Sequence, residues 1–208
     1  MRLKIAVFVS GKGSNLSAII KAIEDGALGA SIVCVVSNNP DAYGLTVARE
    51  HGLEVFALSH KGLSRQEHEA KIVEHLQGLG VDFVVLAGYM RVLTSHFLNA
   101  FKDADGFFRV INIHPALLPS FKGANGYEDA FAYGVKVSGI TVHLVDEEVD
   151  HGPILAQRAF PRLADDTIET FKQRGLEVEH ALYPEVLAAI ANHGIHSLLL
   201  NSLKTVRT

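Results

Sequence analysis

Residues 3–24 read LKIAVFVSGKGSNLSAIIKAIE, and their pattern decides the fold. Leu3–Val9 is a continuous apolar run with β-branched members, as expected of a strand buried on both faces. Ser10–Ser14 makes a glycine-containing turn. From Asn15 to Glu24 the apolar residues Leu16, Ile19, Ile20 and Ile23 recur at helical spacing. A buried strand feeding a helix through a tight turn is the opening unit of a parallel α/β sheet.

The same alternation continues outward. Ser31–Val36 reads as a second strand, closed by Asn38-Asn39-Pro40. Tyr43–His51 reads as a helix ending at Gly52, and Val55–Leu58 as a third strand. Ser64–Leu79 is an amphipathic helix in which Ser64 and Glu67 have the spacing of a capping box. Asp82–Ala87 is a fourth buried strand. This βαβα order predicts a Rossmann-like parallel sheet.

The second half has a different pattern. Arg109–Ile113 is a short strand running into His-Pro. Val137–Val145 and Ile154–Ala159 are strands separated by the acidic turn 146–152, which suits a close antiparallel pair. Residues 165–192 form one long helical pattern, capped by Asp165 or Asp166 and weakened or bent by Gly175 and Pro184. Ile195–Leu200 is expected to add a last strand. The fold class is therefore α/β: a single domain over residues 1–208, parallel in its N-terminal half and mixed or antiparallel in its C-terminal half.

Composition narrows the function. The 208 residues suffice for one α/β core, and a net charge of -4 gives no footprint for a nucleic acid. No apolar stretch reaches membrane-spanning length, and the N-terminus reads as a strand rather than a signal peptide. The single cysteine, Cys34, has no partner for an internal disulfide and sits in the apolar run ASIVCVV, where a buried strand residue is expected rather than a nucleophile. A cytoplasmic protein is expected. The 11 histidines invite a metal reading, but there is no His-Glu-x-x-His and no cysteine pair. His143, Asp146 and His151 also lack a familiar ligand spacing, so no metal is expected.

Two segments carry chemistry. Ser10-Gly11-Lys12-Gly13-Ser14-Asn15 joins a strand to a helix N-terminus, where free N–H groups and the helix dipole suit one anion, such as a phosphate. It is not a dinucleotide loop, which would need glycine at Leu16 and an acid near Ser37-Asn38. Nor is it a Walker loop, since Lys12 precedes Gly13. A tight turn with glycines for geometry alone fits equally well. Ile111-Asn112-Ile113-His114-Pro115 ends a buried strand, and alternation puts Asn112 and His114 on one side. Histidine suits proton transfer near neutrality and an asparagine amide suits an oxyanion. Taken alone, that segment reads better as a hydrogen-bonded core Asn and a partly buried His. Asp150 is one of four carboxylates in 145–152, a turn whose composition is that of a solvated surface.

Five segments then converge on one resemblance: SGKGSNL (10–16), LAGYMRVL (86–93), INIHPALLPSFKGANGYEDA (111–130), GITVHLVDEEVDHGPILAQ (139–157) and EVEHALYP (177–184). In this order they resemble the phosphoribosylglycinamide formyltransferase family, the folate-dependent formyltransferases of purine synthesis. The resemblance implies transfer of a formyl group from 10-formyltetrahydrofolate, as co-substrate, to the amine of glycinamide ribonucleotide. Asn112, His114 and Asp150 match the catalytic trio, with Asn112 and a protonated His114 stabilising the oxyanion and Asp150 raising the His114 pKa and positioning a water.

The resemblance also assigns binding residues. Gly13, Ser14 and Asn15 would hold the nucleotide phosphate, and Glu179 its ribose or glycinamide portion. Arg65 would sit by the ligands. Met90, Arg91, Val92 and Leu93 would line the folate pocket, and Val145, Asp146, Glu147, Glu148 and Asp150 its loop, with Asn112 shared. Residues 1–100 would then bind the nucleotide phosphate, and 101–208 would carry catalysis and folate binding.

The partners implied are these small molecules, with no nucleic acid or membrane, acting on a monomer or homodimer. Asn125 stands where many relatives have His, His151 where a small residue is common, and Leu176 at a place polar in some relatives. The central motif also occurs in methionyl-tRNA formyltransferase and formyltetrahydrofolate hydrolase. Those usually carry an additional C-terminal or N-terminal domain, and the chain's length and the SGKGSNL loop favour the nucleotide substrate. A non-catalytic binding module is the remaining alternative, against which the intact trio argues.

Overall fold

The structure is a computed structural model and describes residues 2–204. Along the chain run β1 (Leu3–Val9), α1 (Ser14–Glu24), β2 (Ala30–Ser37), α2 (Tyr43–Glu50), β3 (Val55–Ala57), α3 (Arg65–Gln77) and β4 (Phe83–Leu86). Then follow α4 (Ser95–Ala100), β5 (Val110–His114), α5 (Gly126–Tyr133), β6 (Val137–Leu144), β7 (Ile154–Pro161), α6 (Ile168–His193) and α7 (Ile195–Lys204). One seven-stranded sheet has the order β3-β2-β1-β4-β5-β6-β7. Pairing is parallel from β3 to β5 and antiparallel through β6 and β7.

The alternation of β1 builds two cores at once. Ile5, Val7 and Val9 face one layer, where α1 and α6 pack; Ala6 and Phe8 face the other, where α3 and α4 pack. Both layers exclude water, so β1 has to be apolar throughout. Strand order reverses direction at β1, because β2 lies on one side and β4 on the other. Loops leaving β1 and β4 therefore diverge and open a crevice at their C-terminal ends, the usual ligand position in such sheets.

Local chemistry sets several boundaries. Ser64 and Glu67 form the expected capping box on α3. α6 is capped by Thr167, not by Asp165 or Asp166; Asp166 instead pairs with Arg174 and receives the Leu163 N–H. The expected weakening of α6 does not interrupt it. The helix runs through Gly175, which lies against the Tyr127 ring, and through the buried Pro184. Residues 195–200, expected as a strand, begin α7 instead, because a short apolar run carries no decisive period. Tyr183, fully buried on α6, has its hydroxyl 3.0 Å from the Leu86 carbonyl and 3.1 Å from that of Ile111. It thereby fixes α6 beneath the end of β4 and the start of β5. Among the described residues, no helix is long and apolar enough to cross a membrane.

Candidate active site

At the crevice lies a cavity of about 360 Å³ whose wall includes Asn15, Leu86, Met90 to Leu93, Asn112, His114, His143, Asp150 and Glu179. β5 delivers Asn112 and His114, which point to the same side of the sheet. Antiparallel pairing sets His143 of β6 directly opposite Asn112. The loop after β6 then returns Asp150 to them with a left-handed backbone, φ 50°. Gly152 makes this return tight: a Cβ there would lie 2.0 Å from the Leu144 carbonyl oxygen.

Asp150 is the hub. Its Oδ2 accepts the Gly123 N–H at 2.8 Å and stands 3.3 Å from His114 Nδ1. Its Oδ1 lies 3.5 Å from Asn112 Nδ2 and 3.6 Å from His143 Nε2. Burial pushes this carboxyl's pKa up, but hydrogen bonding from His143 and the Gly123 N–H, with the neighbouring imidazoles, outweighs it and holds the pKa below the ordinary carboxylate value. Asp150 is thus anionic and enclosed, unlike the solvated turn that its composition predicts.

His114 is 3% exposed. Its Nε2 faces the Phe121 carbonyl at 2.8 Å while Nδ1 faces Asp150, so both ring nitrogens meet oxygen acceptors. Only the imidazolium donates to both. Burial nevertheless pulls the ring's pKa below 6.5, although Asp150 and the Phe121 carbonyl push it back. Asp150 thus acts on this ring in the expected direction, but burial outweighs it, and the ring is built to gain a hydrogen bond when charged. Its surroundings leave no slack, since a Cβ on Gly126 would lie 3.2 Å from Nε2.

His143 did not emerge as a site residue from the sequence. It is buried, with Nδ1 2.8 Å from the Leu144 carbonyl and Nε2 3.3 Å from Asn112 Nδ2. A histidine inside the apolar run of a paired strand was the available signal. The second residue missed is Tyr127. Its hydroxyl donates to Glu179 Oε1 at 2.5 Å, and Asn15 Nδ2 donates to Oε2 at 2.6 Å. Glu179, 6% exposed, is therefore a buried carboxylate held by two neutral donors on the cavity wall. The Oδ1 of Asn15 is also buried and, among the described residues, has no hydrogen-bond partner.

The first turn of α1 closes this end. Gly13 has φ 75° and lies against Gly44, where a Cβ would come within 2.7 Å of the Gly44 Cα. Among the described residues, no side chain caps α1, which leaves its leading N–H groups without a side-chain partner. At the opposite end, Met90 and Val92 are exposed apolar side chains on the wall, 67% and 49% accessible. An apolar rim beside buried polar groups suits an organic ligand with a polar reacting end.

Not every expected residue reaches the cavity. Val145, Asp146 and Glu148 line it. Gly13 and Ser14 stand beside Asn15, and Glu147 beside Glu148, outside the wall itself. Arg65 is exposed at the start of α3 and is not part of the wall. Asn125 precedes α5 without capping it through its side chain. His151 turns outward and pairs with Asp146 at 2.7 Å.

The formyl transferase family model matches residues 3–187. A phosphoribosylglycinamide formyltransferase of Haemophilus influenzae is 42% identical over 185 residues, which cover 88% of this chain and 85% of that one. The trifunctional purine biosynthetic protein adenosine-3 of Drosophila melanogaster is 41% identical over 92% of this chain, which spans 14% of that longer protein. Among solved structures, a glycinamide ribonucleotide transformylase from Symbiobacterium toebii aligns with a TM-score of 0.86 at 41% identity, covering 92% of this chain and 88% of its own.

Proposed function

This chain belongs to the formyl transferase family, and from that premise we propose that it transfers a formyl group from 10-formyltetrahydrofolate to the amine of glycinamide ribonucleotide, a step of purine biosynthesis. The observation that carries the reading is the convergence of Asn112, His114 and Asp150 on one cavity wall, with an anion-suited helix start at one end and an apolar rim at the other.

The cleft suits both substrates. The N-terminus of α1, with Gly13, Ser14 and Asn15, takes the phosphate. Glu179 and Asn15, both on the cavity wall, face the ribose or glycinamide portion. Met90 to Leu93 and the 145–150 loop receive the formyl-folate co-substrate, whose one contribution is an activated formyl carbon.

The residues then divide the work. Asn112 Nδ2 carries two hydrogens. Long contacts to Asp150 and His143 fix the amide on the cavity wall, and it donates to the oxygen that becomes negative when the amine adds to the formyl carbon. The amine sheds a proton as its new C–N bond forms. His114 Nδ1 takes up that proton, by way of a water beside Asp150, and the imidazolium then donates to both Asp150 and Phe121. His114 returns the proton to the departing folate nitrogen as its bond to the formyl carbon breaks. Asp150 stays anionic throughout and stabilises the charged ring between the two steps.

The test is to follow folate absorbance on mixing the protein with 10-formyltetrahydrofolate, with and without glycinamide ribonucleotide. Turnover that requires the amine supports the proposal. Deformylation at the same rate without it identifies a hydrolase, and absence of reaction leaves a binding module.

A further inference from the structure

Away from the cleft, a thiol, a carboxylate and an imidazole meet at the edge of the sheet: Cys34, Glu54 and His75. We propose that these three side chains form a site for a borderline-soft divalent cation such as zinc, with the fourth coordination position open to solvent. None of the three lines the catalytic cavity.

The fold brings them together. Val35 of β2 pairs with Val55 of β3, and the Val35 N–H donates to the Glu54 carbonyl at 2.8 Å, so Cys34 and Glu54 are neighbours across parallel strands. His75 comes from the last turn of α3, which covers this face; Ile72 and Leu76 of the same helix share the apolar cluster of Cys34. Phe56 stacks on the His75 ring, centroids 4.2 Å apart and planes 14° from parallel, and holds its orientation.

The geometry distinguishes a metal site from a nucleophilic triad. In a triad, the nucleophile and the orienting carboxylate occupy different imidazole nitrogens. Here both face the same one: His75 Nε2 lies 3.7 Å from Cys34 Sγ and 3.0 Å from Glu54 Oε1. Ligand bonds of about 2.3 Å to sulfur and about 2.0–2.2 Å to nitrogen and oxygen at tetrahedral angles imply donor separations of about 3.4–3.6 Å. The observed spacings bracket that range, and all three donor atoms lie within 4.8 Å of one another.

Thiolate, imidazole and carboxylate together favour zinc over calcium or magnesium, which prefer all-oxygen shells. Cys34 is fully buried, while His75 and Glu54 are 29% and 49% accessible at their side chains, so a cation enters from the solvent side and keeps a water there. Burial and the nearby Glu54 push the free thiol's pKa up to about 12, which argues against a reactive cysteine. The ion displaces the thiol proton to solvent and joins β2, the edge strand β3 and the end of α3. Sequence spacing hides such a site, because each ligand comes from a different element.

The test is a cobalt(II) titration of the reduced, chelator-treated full chain, read by absorption. A thiolate-to-cobalt band in the near ultraviolet, with tetrahedral visible bands that saturate at one equivalent and bleach on adding zinc, is the expected result. Cys34→Ser should lose the near-ultraviolet band, and His75→Gln should bind at least about tenfold more weakly. Zinc should also raise the thermal midpoint of the unmodified chain. The proposal is overturned if the unmodified chain gives no thiolate band, or if folded His75→Gln binds cobalt with unchanged affinity.

Discussion

His114 and Asp150 meet as a buried pair, Nδ1 3.3 Å from Oδ2, although one ends a strand and the other sits on the far side of a loop. The pair is asymmetric. Asp150 has three further polar neighbours and keeps its charge, whereas burial holds the His114 ring neutral. Proton transfer to His114 therefore creates an ion pair already seated in its hydrogen bonds.

One consequence is a stability effect on the acid side. The unfolded chain protonates this histidine near pH 6.5, while the folded chain does so only at a lower pH. Between those values the unfolded state binds more protons, so stability is full above pH 6.5 and falls as pH drops through the folded pKa. Thermal midpoints of the wild type should fall more steeply below pH 6.5 than those of His114→Asn. Equal slopes contradict the assignment. For the same reason, kcat/KM should keep its plateau below pH 6.5 before its acid limb begins.

Tyr127 supports Glu179 through one hydrogen bond. Tyr127→Phe leaves a buried carboxylate with one donor fewer, at a cost of about 1–3 kcal/mol. If Glu179 holds the ribonucleotide, its KM should rise with kcat little changed. A fall in kcat alone would assign Tyr127 a different task.

Gly152 governs how Asp150 returns to the site. In Gly152→Ala the new Cβ collides with backbone, not with a side chain that can turn away. The loop has to shift, with an overpacking cost of about 1–3 kcal/mol in thermal or denaturant unfolding. Turnover should fall more than stability explains, because Asp150 moves with the loop. A variant as active and stable as the wild type would show that the return path is not constrained.

Much of this was legible in the chain because the information was local. The Leu3–Val9 run, its turn and its helix each span contiguous residues, and so does the Ser64–Glu67 cap. α4 and α5 gave too few turns for a helical period to emerge, and the apolar run at 195–200 fitted either a helix or a strand until packing chose the helix. At the site, Asn112 and His114 were readable as a strand-end pair. Asp150 was one acid among four, and only the folded loop distinguishes it from Glu147 and Glu148. His143 and Tyr127 act through partners distant in sequence, Asn112 and Glu179, so the one local sign was a histidine within an apolar strand run, and Tyr127 had none.

The most direct test is single-turnover formyl transfer by Asn112→Ala, with binding of both substrates measured on the same protein. Loss of one oxyanion donor should slow transfer by about 100- to 1,000-fold while substrate affinity stays close to that of the wild type. A wild-type transfer rate in this variant, or a slowing fully explained by lost binding, would contradict the account.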